Sequence, residues 1–118
     1  MTVRQGNARS VMTSYNKLNG VYTANSWDLC TLVLRHEWGF DGVVMTDWYS
    51  TNPRQADNAV AIAVGNDLIM PGGTYSRVRV LRGLKNGKLT NEQLRRCCGN
   101  VVKAVFASPT QREYIDCE

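Results

Sequence analysis

The apolar positions of the chain follow two different periods. Short apolar runs at Ala8–Ser14, Val43–Thr46 and Asp67–Met70 have the length and composition of β-strands. Between them, apolar residues at helical spacing predict helices over about Trp27–Trp38 and Arg54–Val64. Strands that alternate with helices favour a parallel sheet, so the pattern predicts an α/β fold.

The chain from about residue 75 onward is predicted to be helical. Val78, Leu81 and Leu84 share one face of the first helix of this region. Thr90–Gln93 matches a capping box that opens a second helix. The apolar stripe of that helix consists of Leu94, Cys97 or Cys98, Val101 and Val105. We expect both helices to cover the sheet, whereas the tail Gln111–Glu118 shows no periodicity.

The stretch Gly39–Trp48 is the strongest candidate for chemistry. A glycine-rich turn leads into a short buried strand, and Asp47 and Trp48 follow where that strand ends. Parallel α/β folds bind ligands at the carboxyl ends of their strands, so Asp47 is predicted to take part in a reaction. The polar loop Tyr15–Gly20 follows the first strand and ends in an Asn-Gly turn signal.

Composition suggests that the chain is part of a larger unit. Its 118 residues are 43% hydrophobic and 20% charged, which promises only a modest core. The net charge is +4, with a mild basic cluster at Arg77, Arg79, Arg82, Lys85 and Lys88. Because no aromatic residues interleave with these cations, a solvated helix face is favoured over a nucleic-acid site.

Targeting and cysteine signals are both weak. No apolar run approaches the ~20 residues that span a bilayer, and the first residues lack the apolar core of a signal peptide. We therefore expect a soluble protein without membrane contacts and slightly favour the cytoplasm. The cysteines are Cys30, Cys97, Cys98 and Cys117, and they form no C-x-x-C pair. With His36 as the single histidine, structural thiols are favoured over a metal site, and no cofactor is predicted.

Three motifs together resemble glycoside hydrolase family 3, the β-glucosidase-type enzymes. They are Val11–Asn16, Gly39–Trp48 and Gly65–Gly72, in that order and at that spacing. The resemblance covers most of residues 8–107. It implies part of a (β/α)8, or TIM-type, barrel: about three βα units, strands six to eight, followed by C-terminal helices. We accordingly assign residues 1–107 to a fragment of the catalytic barrel and residues 108–118 to a C-terminal tail.

The resemblance also implies roles for individual residues. Asp47 takes the position of the family's nucleophile, and Tyr15 lies beside it. Met12 and Trp48 correspond to positions that line the subsite for the non-reducing sugar. The family's Lys-His motif and its general acid/base glutamate have no counterpart in this chain.

The chemistry of these residue types agrees with those roles. A retaining glycosidase needs an ionised carboxylate beneath the anomeric carbon, and a phenol that donates a hydrogen bond would orient it. Trp48 offers a flat apolar face to the C–H surface of a sugar. Without the three motifs, a structural reading would come first, with Asp47 capping the next loop and Trp48 packed in the core.

Other polar residues have simpler interpretations. Asp41 is expected to make an Asx-type hydrogen bond to the backbone, and Asp67 a structural one. Glu37 and His36 lie on a helix surface away from the strand ends, and Lys17 is expected to be an exposed loop residue.

The sequence leaves three functional hypotheses open. The first is a part of a retaining, exo-acting β-glycosidase, with β-glucosides as the preferred substrates and β-xylosides next. The second is a non-catalytic sugar-binding or structural module derived from the barrel, and the third, with little support, is a redox or metal-binding protein. For the first we expect a carbohydrate substrate, and as partner either the rest of the glycosidase or a second copy of the chain.

Overall fold

The computed structural model describes residues 2–108, which form a mixed arrangement of strands and helices. Within this part of the chain, no helix is both long and apolar enough to cross a membrane. The expected aperiodic tail lies outside the described residues. In chain order the elements are β1 (Ser10–Met12), β2 (Lys17–Leu18), β3 (Val21–Tyr22), a 3₁₀ turn (Thr23–Asn25), a π-helix (Asp28–Glu37), β4 (Val43–Met45), α1 (Asn58–Ala63), α2 (Thr74–Lys85) and α3 (Asn91–Phe106).

The first two predicted strands, β1 and β4, pair in parallel. The third predicted strand, Asp67–Met70, is reduced to a single parallel bridge between Leu68 and Met45. The hydrogen-bond ladder between this segment and β4 is interrupted because the backbone N–H of Val44 donates to the carboxylate of Asp67, at 2.9 Å. A two-stranded sheet with one further bridge is a parallel α/β arrangement, but it does not by itself make a barrel.

The segment after β1 is more regular than the sequence indicates. The expected polar loop forms an antiparallel hairpin, in which Lys17 pairs with Tyr22 and Leu18 with Val21. Asn19 and Gly20 form its turn, with φ angles of 51° and 82°. Positive φ at both central residues is what a two-residue hairpin requires, and Asn-Gly tolerates it well.

The predicted helix over Trp27–Trp38 is present as the π-helix. Its turns are wide because backbone bonds span five residues, as in the bond from Trp38 N to Val33 O at 3.0 Å. Cys30 and Leu34 are buried on its inner face. Trp27 and Trp38, which flank it, are 49% and 45% exposed.

The next predicted helix, Arg54–Val64, is too long by about one turn at its start. The α1 helix begins only at Asn58, because the side chain of Asp57 caps it by accepting the N–H groups of Ala59 and Val60. Before the cap, the side-chain oxygen of Asn52 accepts the N–H of Arg54 at 2.9 Å, which holds a turn instead of a helix.

The helices α2 and α3 follow the predicted bounds closely. The capping box is present: Gln93 N donates to Thr90 Oγ1 at 3.1 Å, and Thr90 N donates to Gln93 Oε1 at 2.9 Å. Where α1 and α2 cross, Gly83 is required, because a Cβ there would collide with Ala59. The main core cluster joins α1 to α3 and consists of Ala59, Ile62, Leu89 and Cys97. A second cluster joins the π-helix to β4 and consists of Leu34, Phe40 and Val44.

Several large apolar side chains of the described residues have no cover. About half of the surface of each remains exposed, although most lie on helices that are amphipathic in sequence. They include Trp27, Trp38, Val78, Leu81, Val102, Val105 and Phe106. Apolar surface of this kind is normally buried against another segment or another chain.

We expect the isolated 118-residue polypeptide to self-associate, since association buries these faces and the open edges of the small sheet. Light scattering on purified material should give a mass above that of the 13.2 kDa monomer. A monodisperse monomer over the micromolar range would contradict this expectation.

The described cysteines should differ sharply in reactivity. Burial raises the pKa of Cys30 to about 11 and that of Cys97 to about 12, so both thiols stay protonated below those values. Cys98 is exposed. At pH 8, iodoacetamide should therefore alkylate Cys98 much faster than the two buried thiols, as peptide mass spectrometry would show. Equal rates would contradict the burial of Cys30 and Cys97.

Candidate active site

Asp47 lies at the carboxyl end of the small parallel sheet. Its backbone N–H donates to the carbonyl oxygen of Thr13, just after β1, at 3.2 Å. On the other side of β4, Thr46 N donates to Leu68 O and Thr46 Oγ1 accepts from Met70 N, both at 2.9 Å. Thr46 is fully buried. The backbone that carries Asp47 is therefore fixed by a neighbouring segment on each side.

The carboxylate of Asp47 is oriented by its own turn. Its Oδ1 accepts the backbone N–H of Trp48 at 2.7 Å. The backbone carbonyl oxygen of Asp47 accepts the N–H and the hydroxyl of Ser50, at 3.2 and 2.9 Å. The side chain is half-buried, so the turn holds a carboxylate that a ligand can still approach.

Tyr15 connects the loop after β1 to the loop after β4. Its hydroxyl donates to the backbone carbonyl oxygen of Trp48. The sequence predicts the carboxylate of Asp47 as the acceptor, whereas in the structure the acceptor is the carbonyl next to it. Partial desolvation of the phenol and the negative charge of the nearby Asp47 raise the pKa of Tyr15. The phenol therefore stays protonated and remains a donor beside Asp47.

The other two predicted site residues lie at the same edge of the sheet. Met12 ends β1 and Trp48 follows Asp47, and each side chain is more than half exposed. All four residues that the sequence singled out thus lie at or just beyond the carboxyl ends of β1 and β4. The parallel register of β1 and β4 explains this, because the last residues of the two strands, Met12 and Met45, are paired.

Comparison with known proteins identifies the family. The sequence profile described as the glycosyl hydrolase family 3 N terminal domain matches residues 1–104. The chain belongs to this family. A β-glucosidase of Ruminococcus albus is 37% identical over 116 residues, which cover 92% of this chain and 12% of that protein. An exo-α-(1→6)-L-arabinopyranosidase of Bifidobacterium longum is 36% identical over 103 residues, covering 87% of this chain and 13% of that protein.

The solved structure of a β-glucosidase has a similar backbone fold. The β-glucosidase 3B of Thermotoga neapolitana, in complex with glucose, superposes with a TM-score of 0.83 at 38% identity. The match covers 95% of this chain and 16% of that structure. The chain therefore spans only about an eighth of the length of the curated relatives it matches.

Two further acids of this family 3 chain have structural roles. The Asp67 carboxylate lies in an ion pair with Arg35 at 2.6 Å and is fully buried, which confirms the structural interpretation. Asp57 forms ion pairs with Lys88 at 3.0 Å and Arg79 at 3.7 Å. Partial burial alone would raise the pKa of Asp57, but hydrogen bonds from Lys88 and from the start of α1 lower it. Among residues 2–108, no three His, Cys, Asp or Glu side chains gather as a metal site would require.

The sequence analysis did not single out Asn66, a buried residue that contacts the segment next to Asp47. Its buried amide donates to the carbonyl oxygens of Ala24 at 2.8 Å and Ala61 at 3.0 Å. Its Oδ1 accepts from the hydroxyl of Thr13 at 3.3 Å, next to the backbone that holds Asp47. The available signal was an Asn directly after Gly65, at the start of an apolar run. Such a signal is too common to single out a residue.

Proposed function

We propose that this chain supplies the nucleophile-bearing part of the active site of a retaining, exo-acting β-glycosidase, with Asp47 as the nucleophile. The observation that carries the proposal is the grouping at one sheet edge of a fixed, accessible carboxylate with Tyr15 and Trp48. Family membership supports the reaction class. In this proposal residues 1–107 correspond to strands six to eight of a (β/α)8 barrel with its following helices.

The proposed reaction has two steps. In the first, the Asp47 carboxylate attacks the anomeric carbon while the glycosidic C–O bond breaks and a general acid protonates the leaving oxygen. A glycosyl ester on Asp47 results. In the second, the deprotonated acid residue takes a proton from water, which attacks the anomeric carbon and releases the sugar with retained configuration.

The acid/base carboxyl of such an enzyme lies about 5–5.5 Å from the nucleophile. In the described part of the chain, Asp57 and Asp67 are held in ion pairs, and the family resemblance implies that the acid/base glutamate lies outside this chain. We therefore assign the acid/base role to a part of the protein outside residues 2–108. The chain matches only 12% of the Ruminococcus albus β-glucosidase, so most of such a protein lies outside the matched part.

Met12 and Trp48 are proposed to line the subsite of the non-reducing sugar. The half-exposed indole supplies an apolar face, while the Tyr15 hydroxyl positions the loop that carries Trp48. β-Glucosides are the favoured substrates, because relatives are β-glucosidases and a similar solved structure holds glucose. β-Xylosides come next, and the arabinopyranosidase relative adds aryl α-L-arabinopyranosides to the substrates worth testing.

Asp47→Asn should abolish hydrolysis in the product of the longest natural reading frame that contains this chain. We expect kcat on an aryl β-glucoside to fall roughly 10⁴- to 10⁶-fold, because an amide cannot form the glycosyl ester. Asp41→Asn is the matched control, since Asp41 is exposed and away from the sheet edge. A fluoro-sugar that trapped a residue other than Asp47 would overturn the assignment, and sugar binding without hydrolysis by the wild type would favour the non-catalytic module.

Tyr15→Phe and Trp48→Ala should differ in kinetic signature. Losing the phenol hydroxyl should lower kcat about 10- to 100-fold with little change in KM, because the loop beside the nucleophile is no longer held in place. Losing the indole should raise KM up to about tenfold. Steady-state kinetics of both variants on one aryl β-glucoside test this, and wild-type values for Tyr15→Phe would refute its positioning role.

A further inference from the structure

The side chain of Asn66 joins three segments that lie around the candidate site. It is fully buried. Its Nδ2 donates to Ala24 O of the 3₁₀ turn at 2.8 Å and to Ala61 O of α1 at 3.0 Å. Because both partners are carbonyl oxygens, the amide nitrogen must face them, and Oδ1 must face the hydroxyl of Thr13, at 3.3 Å. The oxygen and the nitrogen of the amide are therefore both paired, as burial requires.

The contact with Thr13 leads to the backbone of Asp47. Thr13 O accepts Asp47 N at 3.2 Å, and Thr13 N donates to Met45 O at 2.9 Å. These two bonds join the end of β1 to the end of β4. The hydroxyl of Thr13 lies 3.3 Å from Asn66 Oδ1 and 3.4 Å from Met45 O. It therefore ties the backbone that holds Asp47 to a residue 53 positions further along the chain.

The contact with Ala24 leads to the loop that carries Tyr15. Ala24 directly follows Thr23, whose hydroxyl accepts Ser14 N at 3.1 Å and donates to Ser14 O at 2.5 Å. Ser14 directly precedes Tyr15. The amide of Asn66 therefore holds the turn to which the start of the Tyr15 loop is bonded.

We infer that Asn66 is a positioning residue for the proposed nucleophile, acting on Asp47 through Thr13 and on the Tyr15 loop through the 3₁₀ turn. The inference rests on the proposed function and adds to it a residue that acts only through others. Ala61 O already accepts the backbone N–H of Asn66 at 3.0 Å, so that acceptor does not require the amide. What the amide adds is a fixed distance between the loop after β1 and the segment after α1. A buried network in which every group is paired resists displacement, because each shift would leave a polar group without a partner.

Turnover per active site separates a positioning role from a purely structural one. The protein is the product of the longest natural reading frame that contains this chain. A fluoro-sugar that traps the glycosyl enzyme counts the active sites, and an aryl β-glucoside gives kcat and KM. Asn66→Ala should lower kcat per active site about 10- to 100-fold and leave KM within about twofold, because a displaced carboxylate matters most in the transition state. A purely structural residue would lower the Tm or the number of active sites instead.

Variants of Thr13 keep the test decisive if Asn66→Ala does not fold. Thr13→Val removes the hydroxyl and keeps the branched shape, and it should lower kcat per active site about 3- to 10-fold. Thr13→Ser keeps a hydroxyl and should retain most of the activity that Thr13→Val loses. Combining Thr13→Val with Asn66→Ala should cost less than about twofold beyond Asn66→Ala alone, because the bond between them is already absent.

Thr90→Ala is the control for a loss of stability alone. It removes the side-chain cap of α3, which should lower the Tm and leave kcat per active site within twofold of the wild type. A fall in kcat per active site as large as that of Thr13→Val would show that destabilisation by itself impairs turnover, and the inference would be wrong.

The remaining outcomes separate the two proposals. Wild-type kcat per active site in Asn66→Ala, or in Thr13→Val where Asn66→Ala does not fold, would overturn the inference, while the proposed glycosidase function stands. Losses that multiply in the double variant would overturn the route through Thr13. If the wild type does not hydrolyse aryl glycosides, or if the fluoro-sugar labels a residue other than Asp47, the proposed function fails, and the inference fails with it.

Discussion

The buried carboxylate of Asp67 is the interaction on which the rest of the described structure depends. It accepts Arg35 Nη2 at 2.6 Å and the N–H of Val44 at 2.9 Å through one oxygen, and Asn100 Nδ2 at 2.9 Å through the other. These partners belong to the π-helix, β4 and α3. A fully buried carboxylate is costly unless a cation and hydrogen bonds surround it, so the three elements must meet here in one arrangement.

This arrangement also fixes the candidate site. Val44 lies three residues before Asp47, and the Asp67 segment holds β4 through its own N–H, which donates to Val44 O at 2.7 Å. Arg35 adds bonds to the carbonyl oxygens of Gly42 at 3.2 Å and Gly65 at 2.9 Å, at the amino ends of the same two segments. Charge is therefore buried at one end of the sheet, while the opposite end remains open and polar. The stabilising carboxylate of Asp67 and the proposed catalytic carboxylate of Asp47 therefore lie at opposite ends of the sheet.

The uncovered apolar faces agree with the proposal that the chain is part of a larger domain. The chain spans about an eighth of the length of its family 3 relatives, and a part of a larger domain would expose the surfaces that other segments cover. The exposed tryptophans of the π-helix fit this view, since their sequence pattern is that of buried residues.

The sequence by itself determined the local features. Helix positions, the Thr90–Gln93 capping box and the sequence of strand, Asp47 and Trp48 all depend on residues within a few positions of one another, where propensity and hydrogen bonding are short-ranged. Only the tertiary structure decided which distant groups meet. It paired Tyr15 with the carbonyl of Trp48, 33 residues away. It also placed the Asp67 carboxylate on the backbone N–H of Val44, which shortened the predicted strand Asp67–Met70. Such choices depend on desolvation and geometry across the whole core, which spacing along the chain does not encode.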